Sequence, residues 1–101
     1  MVESSLRLPT LEDLRSYVAD TLSRLETLDP NQHPLSQVIL HRSGSACGIQ
    51  FCMHGPRAVQ LTAIWDAKCN MILFYSSRGE RVQRTRLLAA PQLAGLFTRQ
   101  S

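Results

Sequence analysis

Apolar positions recur along this chain with two different periods, and the switch between them divides it. Leu11, Leu14, Val18, Leu22 and Leu25 fall at three- and four-residue intervals, with Tyr17 and Leu28 beside the stripe. That is the spacing of one helix face. Thr10 with Asp13 three residues on reads as a capping box, Pro9 precedes it, and Glu12 and Asp13 place negative charge where the helix dipole favours it. Asp29-Pro30 supplies a stop, because proline disfavours helical geometry at the residue before it. The pattern predicts a helix over 10–28.

After the linker Pro30–Pro34 the period becomes two. In 47–54 the odd positions Cys47, Ile49, Phe51 and Met53 are apolar; in 57–65 Val59, Leu61, Ala63 and Trp65 are. In 37–42, Val38 and Leu40 oppose Gln37, Ile39 and His41. A two-residue loop at Gly44-Ser45 pairs Val38 with Phe51 and Leu40 with Ile49, which matches the apolar faces. At Gly55-Pro56 a two-residue loop would set Phe51 against Gln60, so a longer turn or a bulge is expected, with Met53 opposite Val59 and Phe51 opposite Leu61. Met71–Ser76 is apolar on both sides, which calls for cover on both faces. Pro91–Gln100, with Leu93, Leu96 and Phe97 at helical spacing, is the expected cover. A fifth strand is expected at about 80–87.

The predicted architecture is α+β: an N-terminal arm over 1–9, then one domain over 10–90, a helix packed on a five-stranded antiparallel meander. A short C-terminal helix or tail over 91–101 completes it. A length of 101 residues leaves room for one core, and 44% apolar with 19% charged residues is ordinary for a folded globule. No apolar run reaches the roughly 18 to 20 residues of a membrane-spanning helix, and MVESSLRLPT does not read as a signal peptide. Three cysteines without a CxxC spacing fit reduced thiols in a cytoplasmic protein.

The net charge of +3 hides a polarity. Residues 1–34 carry Arg7, Arg15 and Arg24 against Glu3, Glu12, Asp13, Asp20, Glu26 and Asp29, a balance of −3. Residues 35–101 hold seven arginines and Lys68 against Asp66 and Glu80, a balance of +6. An acidic helix thus precedes a basic sheet, and charge neutralisation of helix against sheet is one expectation.

The chain offers little convergent chemistry. His41, Cys52 and His54 share one predicted face, but the predicted registers spread them beyond any zinc coordination sphere. Cys52 and His54 suggest a thiol–imidazole pair, yet neighbours two apart on a strand diverge rather than hydrogen-bond. No glycine-rich phosphate loop is present. The expectation is no enzyme, no cofactor and no metal. Arg78, Arg81, Arg84 and Arg86 are the densest charge feature and could neutralise phosphates of single-stranded RNA or DNA. Strand alternation splits them, Arg81 on one face and Arg84 and Arg86 on the other. Protection of a terminal strand against sheet-to-sheet pairing is the structural role expected of them.

Asp66-Ala67-Lys68-Cys69-Asn70-Met71-Ile72-Leu73 resembles the strand-turn-strand motif of Sm-like RNA-binding proteins, which reads Asp, two variable residues, Met, Asn, Leu. Arg78-Gly79 followed by Val82 resembles the Arg-Gly element of that family's second motif. The resemblance implies Asp66, Asn70 and Arg78 at a base-binding site in a ring-shaped oligomer. Asn70 and Arg78 stand eight positions apart where that family places a complete strand pair between the motifs.

What remains is the second sheet face, read as Gln37, Ile39, His41, Gln50, Cys52, His54, Gln60, Thr62, Ile64, Ile72 and Phe74. It is polar but nearly uncharged, and charge depletion marks interface cores. The leading expectation is a non-catalytic domain that binds a protein partner or itself, as a homodimer, through Gln37, His41, Gln50, Cys52, His54, Gln60 and Thr62 or through the edge of the first sheet strand. The alternatives are nucleic-acid binding through the arginines and an enzyme centred on Cys52 and His54.

Overall fold

The computed structural model describes residues 2–29 and 32–92. Along the chain run β1 (Val2–Arg7), α1 (Leu11–Leu25), β2 (Leu35–Arg42), β3 (Ser45–His54), a 3-10 turn at Pro56–Ala58, β4 (Gln60–Asp66), β5 (Met71–Tyr75) and β6 (Arg81–Ala89). The helix starts where its cap requires: Thr10 Oγ1 accepts the Asp13 N–H at 3.0 Å. It ends before the proline. Thr27 turns left-handed at φ 56°, Leu28 N–H donates to Ser23 O at 2.7 Å, and Thr27 N–H donates to Arg24 O at 3.5 Å. That 6→1 and 5→2 pair is a Schellman closure, so a backbone device three residues ahead of Pro30 terminates α1.

The class is α+β, but the sheet has six strands and is mixed. Its order is β1-β6-β5-β4-β3-β2. The expected five-strand meander is present as β2 to β6, and residues expected to be an arm add β1, which runs parallel to β6 with Leu6 beside Leu87. The strand escaped its sequence pattern because its inward side is partly polar. Ser4 Oγ lies 2.9 Å from Thr85 Oγ1 and Leu6 packs at the core's rim. The expected tail helix over 91–101 lies outside the described residues beyond Gln92, where Pro91 is buried.

Leu14, Val18 and Leu22 are fully buried against Ile49, Phe51, Met53, Leu61, Trp65, Ile72 and Phe74. Each such side chain contributes roughly 1.5–3 kcal/mol of transfer free energy. Residues two apart on a helix point about 200° apart, and α1 uses this to grip both flanks of the sheet. Arg15 Nη1 donates to Gln37 Oε1 and its Nη2 to Leu35 O at 3.1 Å on β2. On the other side the Tyr17 ring meets Phe74 edge-on at 5.9 Å. The Tyr17 hydroxyl lies 2.9 Å from Thr85 Oγ1 and 3.4 Å from Ser4 Oγ, and accepts from Gln83 Nε2 at 2.9 Å. The helix, β1 and β6 therefore share one polar knot at the edge of the core.

Registers correct three sequence expectations. First, Gln37 pairs with Phe51 and Ile39 with Ile49, while Val38 pairs with Gln50 and Leu40 with Gly48. The tight turn is Ser43-Gly44, both with positive φ (53° and 81°), as a type I′ hairpin needs. An extra residue at Cys47 shifts the ladder between Leu40 and His41, so β2 turns Val38 outward, 61% exposed. Beside it Gly48 has no room for a side chain, since a Cβ there would meet the Trp65 carbonyl oxygen at 2.2 Å. Second, the Gly55–Val59 corner is a longer turn, as expected, but it pairs Met53 with Leu61 and Phe51 with Ala63. That is a slide of two residues, so both faces keep their membership. Third, Ile72 and Phe74 are buried under the helix, and Met71, Leu73 and Tyr75 face the open side.

Two outcomes test this packing. Thr27→Gly relieves a β-branched residue from the left-handed region and is expected to raise stability by up to about 1 kcal/mol in urea unfolding; a loss of stability would contradict the closure. Tyr17→Phe is expected to cost roughly 1–2 kcal/mol and to speed amide exchange at Ser4 and Leu6 above the rest of the sheet.

Candidate functional site

One sheet face lies under α1; among the described residues nothing covers the other. Cross-strand pairing arranges that open face in three rows. One reads Ser36, Cys52, Thr62, Tyr75, Arg81; the next Val38, Gln50, Ile64, Leu73, Arg84, Glu3; the third Leu40, Gly48, Asp66, Met71, Arg86, Ser5. Each row passes from uncharged positions on β2 and β3, through apolar or aromatic side chains on β5, to an arginine on β6.

Of the residues expected to form an interaction face, Gln50, Cys52, His54, Gln60 and Thr62 do share it. Cys52 is their centre: its sulfur receives Gln60 Nε2 at 3.4 Å and Gln50 Nε2 at 3.7 Å, and Thr62 Oγ1 lies 4.0 Å away. Gln37 does not belong there. It lies on the helix side, held by Arg15, and strand alternation puts exposed His41 on that side too. The reason is the slipped β2 register, which exchanges Gln37 and Ile39 for Val38 and Leu40. The spacing of those two apolar residues alone points them to the core. Trp65 is fully buried in the core, and its Nε1 has no hydrogen-bond partner among the described residues.

The arginines are rearranged as well. Phe74 pairs with Gln83 but Tyr75 pairs with Arg81, so a bulge at Val82 resets the alternation. Arg81 therefore stands on the same face as Arg84 and Arg86, which corrects the expected split. Its guanidinium carbon lies 5.7 Å from the Tyr75 ring centroid and its Nη2 donates to the Tyr75 hydroxyl at 3.3 Å. Arg84 Nη2 pairs with Glu3 Oε2 at 2.5 Å. Arg78 sits apart in the β5–β6 turn, where its N–H donates to Ser76 Oγ at 3.2 Å.

Helix-to-sheet neutralisation is also corrected. Arg81, Arg84 and Arg86 project from the face opposite α1, and the helix's own ion pair is Arg24 with Asp20 at 3.6 Å. The helix carboxylates Glu12, Asp13 and Asp20 and the β6 arginines thus belong to opposite layers.

The Sm-like set does not assemble. Asn70 precedes β5 and Arg78 follows it, so the strand's five residues, roughly 17 Å in length, and Ser76-Ser77 lie between them. Asp66 Oδ1 is occupied in accepting the Lys68 and Cys69 N–H groups at 2.9 and 3.3 Å, and Asn70 takes φ 52°. Turn chemistry accounts for both residues.

Among the described residues no three of His, Cys, Asp and Glu come together as metal ligands, and no helix is long and apolar enough to cross a membrane. The three cysteines are unpaired, Cys69 exposed and Cys47 and Cys52 half-buried. Timed iodoacetamide labelling of the native protein read by peptide mass is expected to modify Cys69 first; labelling of Cys52 ahead of it would contradict this placement. No protein-family model, curated protein or solved structure matches the chain.

Proposed function

We propose that this protein is a non-catalytic association domain that pairs the outer edge of β2 with β2 of a second copy. The observation that carries the reading is the character of that edge. β2 ends the sheet, runs eight residues, contains no proline or lysine, and carries its single charge, Arg42, at its last position; proline and charge along a strand are among the devices that blunt exposed edges. The opposite edge differs: β1 is six residues long and carries Glu3 and Arg7.

Antiparallel pairing centred on Ile39 keeps every face matched. Val38 then opposes Leu40 of the second copy on the open side, and both helices lie on the other side. It also places the two Arg42 residues at opposite ends of the junction, about 20 Å apart along the strands, whereas parallel pairing would stack them. The uncharged positions Gln50, Cys52, Thr62 and Ile64 adjoin this edge and extend the contact. Catalysis by Cys52 and His54 has no geometric support, since their side chains stand roughly 7 Å apart along one strand. Reduced cysteines fit a reducing compartment such as the cytoplasm.

Sedimentation velocity across micromolar to millimolar concentration is expected to show a dimer. Val38→Lys, at a position that bears no core contact, is expected to weaken the dimer at least tenfold while leaving the far-ultraviolet spectrum unchanged. A monomer at every concentration, or a dimer indifferent to Val38→Lys, would sink the proposal.

A further inference from the structure

We infer that the open face of β5 and β6 binds single-stranded nucleic acid, a role independent of the β2 edge. Four observations lead there. The first removes the structural explanation for the arginines. β6 is not a terminal strand, because β1 pairs along it from Gln83 to Ala89. Charge on β6 therefore guards no edge against aggregation.

The second is the Val82 bulge. It costs a regular ladder and brings Arg81 into phase with Arg84 and Arg86, above the row Tyr75, Leu73 and Met71. Without it, one of the three cations would point toward the helix side. Adjacent in-phase cations stand about 6.6 Å apart along the strand.

The third is that internal neutralisation is incomplete. Among the described residues Arg78, Arg81 and Arg86 form no salt bridge, and Arg84 alone meets a carboxylate, that of Glu3. The helix acids Glu12, Asp13, Asp20 and Glu26 belong to the opposite layer. With Arg81, Arg84 and Arg86 against Glu3 and Asp66 in its rows, the face is net cationic on one side of a dipolar molecule, complementary to a polyanion.

The fourth selects the polyanion. Tyr75 is half-buried beside Arg81, and its cross-strand neighbour is Thr62, while Ile64 flanks Leu73. A ring flanked by the uncharged Thr62, Ile64 and Leu73 and bordered by guanidinium groups can stack an unpaired base while the arginines hold its phosphates. A duplex hides its base faces, and among the described residues no helix or ribbon projects from this surface to enter a groove. An acidic peptide would use the arginines but leave the ring and platform idle. In the bound state a phosphate exchanges with the Glu3 carboxylate at Arg84.

The test is fluorescence anisotropy of a labelled 12-nucleotide oligo-dT and oligo-U against the full chain at 50 and 200 mM salt. With three or four phosphates neutralised, the slope of log affinity on log salt is expected near −2 to −3. Arg86→Gln is expected to weaken binding and flatten that slope by about 0.7, with Arg86→Lys restoring it. Tyr75→Leu is expected to lose roughly 5- to 100-fold, the range of one base stack, without changing the slope. Arg24→Gln, on the helix layer, is expected to bind as the parent does. Matched duplex DNA and a glutamate peptide of equal charge serve as competitors. Absence of binding at 50 mM salt, a slope indifferent to Arg86→Gln, or equal competition by duplex or peptide overturns the proposal. Variants that retain the parent's thermal transition separate loss of contact from loss of fold.

Discussion

The parallel pairing of β1 with β6 is the contact on which the other features depend. Glu3 lies beside Arg84 in the ladder, so the two ends of the described chain close a loop of some eighty residues. Loop-closure entropy grows only slowly with length, and the return comes from a shared set of contacts. Thr85, Ser4 and Gln83 meet the Tyr17 hydroxyl, and the Tyr17 ring rests on Phe74. The same pairing makes β6 an interior strand and leaves β2 at the free end of the meander. Both the edge available to a second copy and the unexplained arginines trace back to it.

The layers then divide the work. The single helix covers the middle of one face of the sheet, running a leucine and valine stripe along the midline while Arg15 and Tyr17 reach the flanks. The uncovered face is free to differ in chemistry from edge to edge. It runs from amides, a thiol and exposed Val38 to Tyr75 and three arginines in phase. Because the helix acids Glu12, Asp13 and Asp20 lie on the other layer and only Glu3 and Asp66 join the arginines in the open rows, the modest net charge of +3 understates the field on the open side. Edge pairing and face binding are geometrically compatible. Two copies joined at β2 would present the arginine strips at the two outer ends of one continuous sheet.

Bulges limited what alternation could reveal. A period of two has only two phases, and one inserted residue exchanges them for the remainder of a strand pair. At Cys47 the insertion moved β2 out of step, so Val38 and Leu40 were assigned inward and Gln37 outward. At Val82 it reunited arginines that strict alternation separates. Where no bulge intervenes, as between β3 and β4, a two-residue error in the turn left Phe51 and Leu61 on the correct side. In β5 every residue is apolar or aromatic, so neither phase was marked, and burial of Ile72 and Phe74 followed from the β4 register alone.

Local chemistry was sufficient to determine the helix, its Thr10 cap, the five meander strands and the acidic-to-basic charge order, because periodicity, capping and turn preference act over a few residues. The far end of α1 was local too, but it rested on Thr27 accepting a left-handed conformation, for which composition offers no marker. Tertiary structure alone decided that residues 2–7 are a strand, since their inward side gains its partners from Tyr17 and Thr85, distant in the chain. It also decided which side of the sheet each arginine occupies. Both are questions of long-range pairing, whose energies depend on neighbours that no short window of sequence contains.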